Sequence, residues 1–94
     1  MVPPVFNAAY LDNPAPAYPP LARRAHEEGK VLVRVLVNVL GSAETAEIKS
    51  SSGSARLDAA ALDAVKRWRF VAARQGDQTV PAWVVISITF SLES

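Results

Sequence analysis

Residues 30–40 read KVLVRVLVNVL. Val31, Val33, Val35, Val37 and Val39 recur with a period of two, so an extended chain puts them all on one face. Lys30, Leu32, Arg34, Leu36, Asn38 and Leu40 fall on the other. The first face is purely β-branched and belongs in a core. The second is mixed, three leucines among polar residues. Gly41-Ser42 then supplies a turn, and TAEIKSSS (45–52) reads as a second, shorter strand with Ala46 and Ile48 inward, which makes a hairpin.

Working outward from that hairpin, Pro19 and Pro20 are suited to open a helix. The helix is expected over Pro20–Glu28, with Leu21 and Ala25 on its buried face and Gly29 as its stop. Arg23 with Glu27 and Arg24 with Glu28 are spaced as i,i+4 pairs on it. Downstream, SGSARLDAAALDAVKRWRF (52–70) carries a second helix whose apolar stripe is Leu57, Ala61, Leu62, Val65 and Trp68. Asp58 is the expected N-cap, with Ser54 as the competitor. Gly76 to Thr79 turn the chain. The stretch TVPAWVVISITFSLES (79–94) then alternates again: Val80, Ala82, Val84, Ile86, Ile88, Phe90 and Leu92 on one face, Pro81, Trp83, Val85, Ser87, Thr89, Ser91 and Glu93 on the other. Pro81 lacks an N–H, which marks this as an edge strand. The fold class is therefore α+β, a three-stranded antiparallel sheet with two helices packed on its valine face.

Met1 to Pro20 hold six of the seven prolines, so the first 20 residues are extended and polyproline-like. VFNAAYL (5–11) is apolar enough to dock as a strap. The division is an extended arm over 1–17 and a domain over 18–94.

Composition excludes several classes. Ninety-four residues make one small domain, and half of them are hydrophobic, enough for a core. No apolar run approaches the roughly 20 residues of a membrane-spanning helix. VPPVFNAAY (2–10) has neither the basic nor the apolar region of a signal peptide, and the chain reads as an excised part of a longer protein. The formal net charge is +1, far from the basic excess of a nucleic-acid binder. Without cysteine there is no disulfide, no thiolate nucleophile and no cysteine zinc site. His26 is the single histidine, flanked by Glu27 and Glu28, and one His cannot build a typical transition-metal site. Asp58 and Asp63, five apart on a helix, diverge, so they suit a cap and a solvated residue better than an acid/base pair. SSSGS (50–54) precedes a helix as a phosphate loop does, but lacks the lysine and the glycine spacing of one. No catalytic residue, metal or cofactor is expected.

DAVKRWRFVAARQG (63–76) carries four of the ten basic residues, a Trp and a Phe. An RNA platform needs aromatics on an open sheet face, where only Trp83 qualifies. Trp68 instead shares the helical stripe of Ala61 and Val65 and is expected to be buried as the last anchor of that helix. Lys66, Arg67 and Arg69 lie off the stripe, at the end where cations favour the helix dipole. Two features exceed what folding alone requires. Leu32, Leu36, Leu40, Trp83 and Val85 form an apolar outer face that the arm or a partner must cover. The last strand is a long uncharged edge, a hazard unless it has a use, and the usual use is to accept an extended peptide as a further strand.

The chain resembles the C-terminal domain of the TonB family of periplasmic energy transducers. The resemblance runs from Tyr18-Pro19 through Gly29 and the alternating valines, Ser52-Gly53, Leu57-Asp58, Ala60-Ala61-Leu62 and Trp68-Arg69-Phe70 to Phe90. It departs at Leu40-Gly41, where many members have Asp-Gly, and at Ala15-Pro16-Ala17, where many carry polar residues. The resemblance implies that a partner peptide lies along Val85, Ile86, Ser87, Ile88, Thr89, Phe90 and Ser91, with Ala17 and Tyr18 beside it and Arg67, Arg69 and Arg74 as rim contacts. It implies a periplasmic location, tethered to the inner membrane in the full-length protein. The partners it implies are TonB-dependent outer-membrane transporters of iron chelates, haem or cobalamin, met through their N-terminal TonB box. Inner-membrane proton-channel partners of the ExbB/ExbD type would be met through the missing N-terminal part. It implies a binding protein without a cofactor and no nucleic acid, as a monomer or weak homodimer. The alternative is a TonB-like envelope adaptor for a secretion or signalling component.

Overall fold

The computed structural model describes residues 1–8 and 11–92. In chain order its elements are α1 (Pro20–Arg24), β1 (Gly29–Val37), β2 (Ala43–Ser50), α2 (Ala55–Lys66), β3 (Ala73–Gln75), β4 (Gln78–Val80) and β5 (Ala82–Phe90). Ala9, Tyr10 and Glu93, assigned above to the strap and the last strand, lie outside the described residues.

β1 occupies the centre of the main sheet, whose order is β2-β1-β5 with both pairings antiparallel. Val31, Val33, Val35 and Val37 are wholly buried, as the alternation requires. Val39 is not: the strand ends at Val37, and Val39 is 46% exposed. Asn38 ends the strand. Its Oδ1 accepts from the N–H groups of Leu40 and Ser42, both at 3.0 Å. Gly41 completes the turn at φ +80°, where a Cβ would stand 2.2 Å from the Phe70 carbonyl oxygen. Only glycine fits there.

α2 crosses the valine face over β1 and β2 and buries Leu57, Ala61 and Val65 in a core that also takes Ile86, Ile88 and Phe90 from β5. Truncating a leucine such as Leu57 costs about 2–5 kcal/mol. The ion pairs Arg34–Glu47, Arg56–Glu27 and Arg67–Asp63 are largely exposed. Each contributes about 0–1 kcal/mol. Apolar packing, then, holds the two layers together.

Four local expectations are corrected. Helix α1 is one turn, ending at Arg24 rather than Glu28, because His26 takes the left-handed region at φ 57°. Gly29 is the first residue of β1, not a helix stop, and a Cβ there would meet the Ser52 carbonyl oxygen at 2.8 Å. The buried residue of α1 is Ala22, while Leu21 is 55% exposed, because a single short turn brings only its smallest side chain against the core. At α2 the cap is Ser54, whose Oγ accepts from the Leu57 N–H at 3.3 Å and donates to Glu27 Oε1 at 2.7 Å.

Asp58 fastens the preceding loop. It accepts from the Ser52 N–H at 2.9 Å, from the Ser52 hydroxyl at 2.8 Å and from the Ser51 hydroxyl. Partial burial pushes its carboxyl up, but the hydrogen bonds from Ser51 and Ser52 outweigh that and hold it below the ordinary carboxylate value.

The β3–β4 hairpin was not anticipated. Arg74, Gln75, Gln78 and Thr79 are all exposed, so these short strands carry no apolar alternation. Gly76, at φ +63°, makes the two-residue turn with Asp77. Val80 ends β4 rather than opening the last strand, and Pro81, with no N–H, separates β4 from β5. The N-terminal segment runs beside β3. Val2 and Arg74 exchange backbone hydrogen bonds of 2.8 and 3.0 Å, and Val5 and Val71 exchange bonds of 3.0 and 2.8 Å. It therefore leaves the outer face of the main sheet open, where Arg34 lies 4.0 Å from the Trp83 ring centroid.

A carboxylate held below its ordinary value stabilises the fold at pH above its unfolded value, near 3.9, and loses that contribution as pH falls through the folded value. Asp58→Asn is expected to lower stability at pH 7 by about 1 kcal/mol. The gap between the melting temperatures of Asp58→Asn and wild type should shrink between pH 5 and pH 2, as calorimetry at each pH would measure.

Candidate binding site at the β5 edge

Among the described residues the main sheet has two free edges, β2 and β5, and they differ. Pairing of β2 with β1 is broken by register shifts between Leu32 and Val33 and between Leu36 and Val37, and β2 carries Glu44, Glu47 and Lys49. Bulges and charges are the usual protection of an edge. β5 pairs with β1 without a shift over nine residues, from Gly29↔Phe90 to Val37↔Ala82, and AWVVISITF contains no charge. Its free side is straight and unprotected.

The alternation of β5 sorts the expected peptide-binding residues by face. Ile86, Ile88 and Phe90 point into the core and are buried, while Val85, Ser87 and Thr89 are exposed on the open face. A groove of about 400 Å³ runs along Ser87–Ser91 on the helix side of the edge. Its opposite wall is made by Asn13, Ala15, Pro16, Tyr18 and Trp68. Tyr18 stands with its ring edge-on to Phe90 at 5.4 Å, has Arg23 5.1 Å from its centroid, and donates its hydroxyl to the Glu27 carbonyl. Desolvation, then the nearby Glu28, pushes the Tyr18 phenol above its ordinary pKa.

Other expected site residues lie elsewhere. Ala17 and Arg67 line a separate hollow of about 330 Å³ between residues 14–17 and α2, with Arg67 paired to Asp63. Arg69 and Arg74 are exposed and use their backbones to hold the N-terminal segment. None of the three arginines lines the β5 groove.

Trp68 is corrected from buried helix anchor to half-buried post. α2 ends at Lys66, and Trp68 lies beyond the Arg67 cap. Its ring stacks on Phe6 at 6.2 Å, and its Nε1 donates to the Pro14 carbonyl at 2.8 Å. Asn13 completes the clamp: Nδ2 donates to the Phe6 carbonyl at 2.8 Å and to the Arg69 carbonyl at 2.7 Å, and Oδ1 accepts from the Arg69 N–H at 2.8 Å. Residues 6–8 and 12–16 thus lie around Trp68. The apolar run VFNAAYL (5–11) marked the segment of Phe6 as one that docks, but nothing in the local pattern named its partner or singled out Asn13; the partners are 62 and 56 positions away along the chain. Trp68 itself was legible only as the last member of the helical stripe.

Known proteins match this architecture. The family model described as "Gram-negative bacterial TonB protein C-terminal" matches residues 14–92. The chain belongs to that family. Protein tonB2 of Pseudomonas aeruginosa is 51% identical over 89 residues, 95% of this chain and 33% of that protein. Protein TonB of Xanthomonas campestris pv. campestris is 36% identical over 80 residues, 85% of this chain and 35% of that protein. The solution NMR structure of the Pseudomonas aeruginosa TonB CTD superposes with a TM-score of 0.75 at 25% identity, covering 89% of this chain and 85% of that one. The three-stranded antiparallel sheet with two helices is the architecture of that TonB domain. The chain spans about a third of the length of the curated relatives it matches.

In this TonB domain the clamp has a measurable signature. Asn13→Ala removes three hydrogen bonds at once, each contributing about 1 kcal/mol net. Amide exchange at Val5 and Arg69 should accelerate by about tenfold or more, while the amides of β1 keep their protection. Exchange measured by NMR on the variant checks this.

Proposed function

We propose that this domain is the partner-binding end of a TonB-type energy transducer. It binds the TonB box, the N-terminal segment of an outer-membrane TonB-dependent transporter, as an added strand on β5. The observation that carries the reading is the unbroken, uncharged β5 edge beside a ready groove. Family membership supports the transducer role. Under this reading the domain sits in the periplasm, the longer protein is tethered to the inner membrane, and energy from the proton gradient arrives through ExbB/ExbD-type partners outside this chain. The work done is transport, the uptake of iron chelates, haem or cobalamin.

Strand addition suits that work. Backbone hydrogen bonds are tolerant of sequence, so one domain serves several transporters. Each bond contributes only about 1 kcal/mol net, so solution affinity is modest. A ladder pulled along its length must break several bonds together, whereas a ladder pulled from one end opens them singly. A joint of this kind is weak at rest and resistant under shear.

The alternation of an added strand gives the test. Only every second N–H of the peptide can donate to β5. Synthetic peptides matching transporter N-terminal segments, N-methylated at one position at a time, should lose about tenfold in affinity at alternate positions and little between them. Isothermal titration would measure this. Equal losses at every position, or none, would contradict strand addition.

A further inference from the structure

The wall of the groove facing β5 has an unusual property: its polar side chains are all committed elsewhere. The Trp68 N–H is committed to the Pro14 carbonyl, and the Tyr18 hydroxyl to the Glu27 carbonyl. The Asn13 amide is committed to Phe6 and Arg69 through both its oxygen and its nitrogen. What remains toward the groove is ring and aliphatic surface from Trp68, Tyr18, Pro16 and Ala15, with Ile88 and Phe90 at its inner side. No charged residue lines it among the described residues. The β5 side, in contrast, offers its backbone edge, while Ser87 and Thr89 alternate onto the open face.

A strand laid along β5 sends successive side chains to opposite faces. One set enters the groove, between β5 and Trp68. The other set lies over the open face, near Ser87, Thr89 and the exposed Val85. A charged side chain in the groove would lose water and find no partner, while an apolar one would bury surface against the rings.

We propose that the space between Trp68 and β5 is a side-chain pocket that selects an uncharged, apolar residue at alternate positions of the added strand. The clamped segment 13–16 is its wall, held in place by Trp68 and Asn13. The proposal rests on strand addition at β5 and adds to it a specificity that backbone pairing cannot supply. Asn13 is a positioning residue in this scheme, while Ala15 and Trp68 touch the ligand.

The test uses a synthetic peptide that shows alternation in the N-methyl scan, with Leu, Asp or Lys placed at each position in turn. Burial of one apolar side chain predicts that Leu binds about tenfold tighter than Asp or Lys at every second position, and about equally at the positions between. Ala15 is exposed, so Ala15→Asp leaves the fold intact and puts a carboxylate on the wall. With that variant the preference at the same positions should turn toward Lys over Asp by about fivefold or more. Asn13→Ala should flatten the preference for Leu without removing the N-methyl alternation. A preference untouched by Ala15→Asp and Asn13→Ala would overturn the pocket while leaving strand addition standing. Absence of any position-dependent preference would overturn it in the same way. Loss of the N-methyl alternation itself would overturn both readings together.

Discussion

The structure depends on β1 being central and uniformly β-branched on one side. Four consecutive inward valines give α2 a flat, dry face to cross. β1 then carries β2 on one side and β5 on the other, so neither neighbour has a second partner in the sheet. The free β5 edge follows directly from a three-stranded sheet with this order. β2 is shielded by bulges and charges and β5 by neither, so the same central strand leaves one unshielded edge and one protected edge.

Trp68 sets the surroundings of that edge. It follows α2, at a point where the chain must turn toward the Phe70–Gly41 contact, whose hydrogen bond is 2.8 Å. Because α2 is held by Leu57, Ala61 and Val65, the ring is fixed relative to the sheet. Phe6 and Pro14 close on it from the N-terminal segment. The result joins three distant pieces, residues 13–18, Trp68 just past α2, and β5, into one groove. Its polar needs are met on the β5 side and its apolar ones on the Trp68 side. Dispersion and ring packing, not ion pairs, hold this arrangement, because the exposed ion pairs contribute little.

Much of this was legible in the sequence. Period-two alternation in residues 31–37 and 82–90 located the sheet and its faces, and β5 is an edge as expected, although Pro81 lies outside the strand and the sheet order, not its missing N–H, sets that position. A 3.6-residue stripe located α2. These signals are strong because each follows from burial of a whole face. What escaped was set by single local or long-range contacts. The end of α1 depends on His26 entering the left-handed region, which the i,i+4 charge spacing concealed. The N-cap went to Ser54 because α2 starts at Ala55, which places Asp58 in the first turn, where its side chain binds Ser51 and Ser52 instead. The β3–β4 hairpin has no buried alternation to read. At the site, the edge strand and Tyr18 could be read, but the opposite wall could not. Asn13, Phe6 and Trp68 meet across more than fifty residues of chain, and no periodicity encodes that meeting.

The central claim is that β5 accepts an extended chain along its free edge. Isotope-filtered NOEs between the labelled domain and an unlabelled transporter N-terminal peptide test it most directly. The account predicts a ladder of backbone-to-backbone contacts between the peptide and Val85–Ser91, with alternate peptide side chains touching Trp68. Peptide contacts confined to the open face at Leu32, Leu36 and Trp83, or to α2, with none to the backbone of β5, would contradict it.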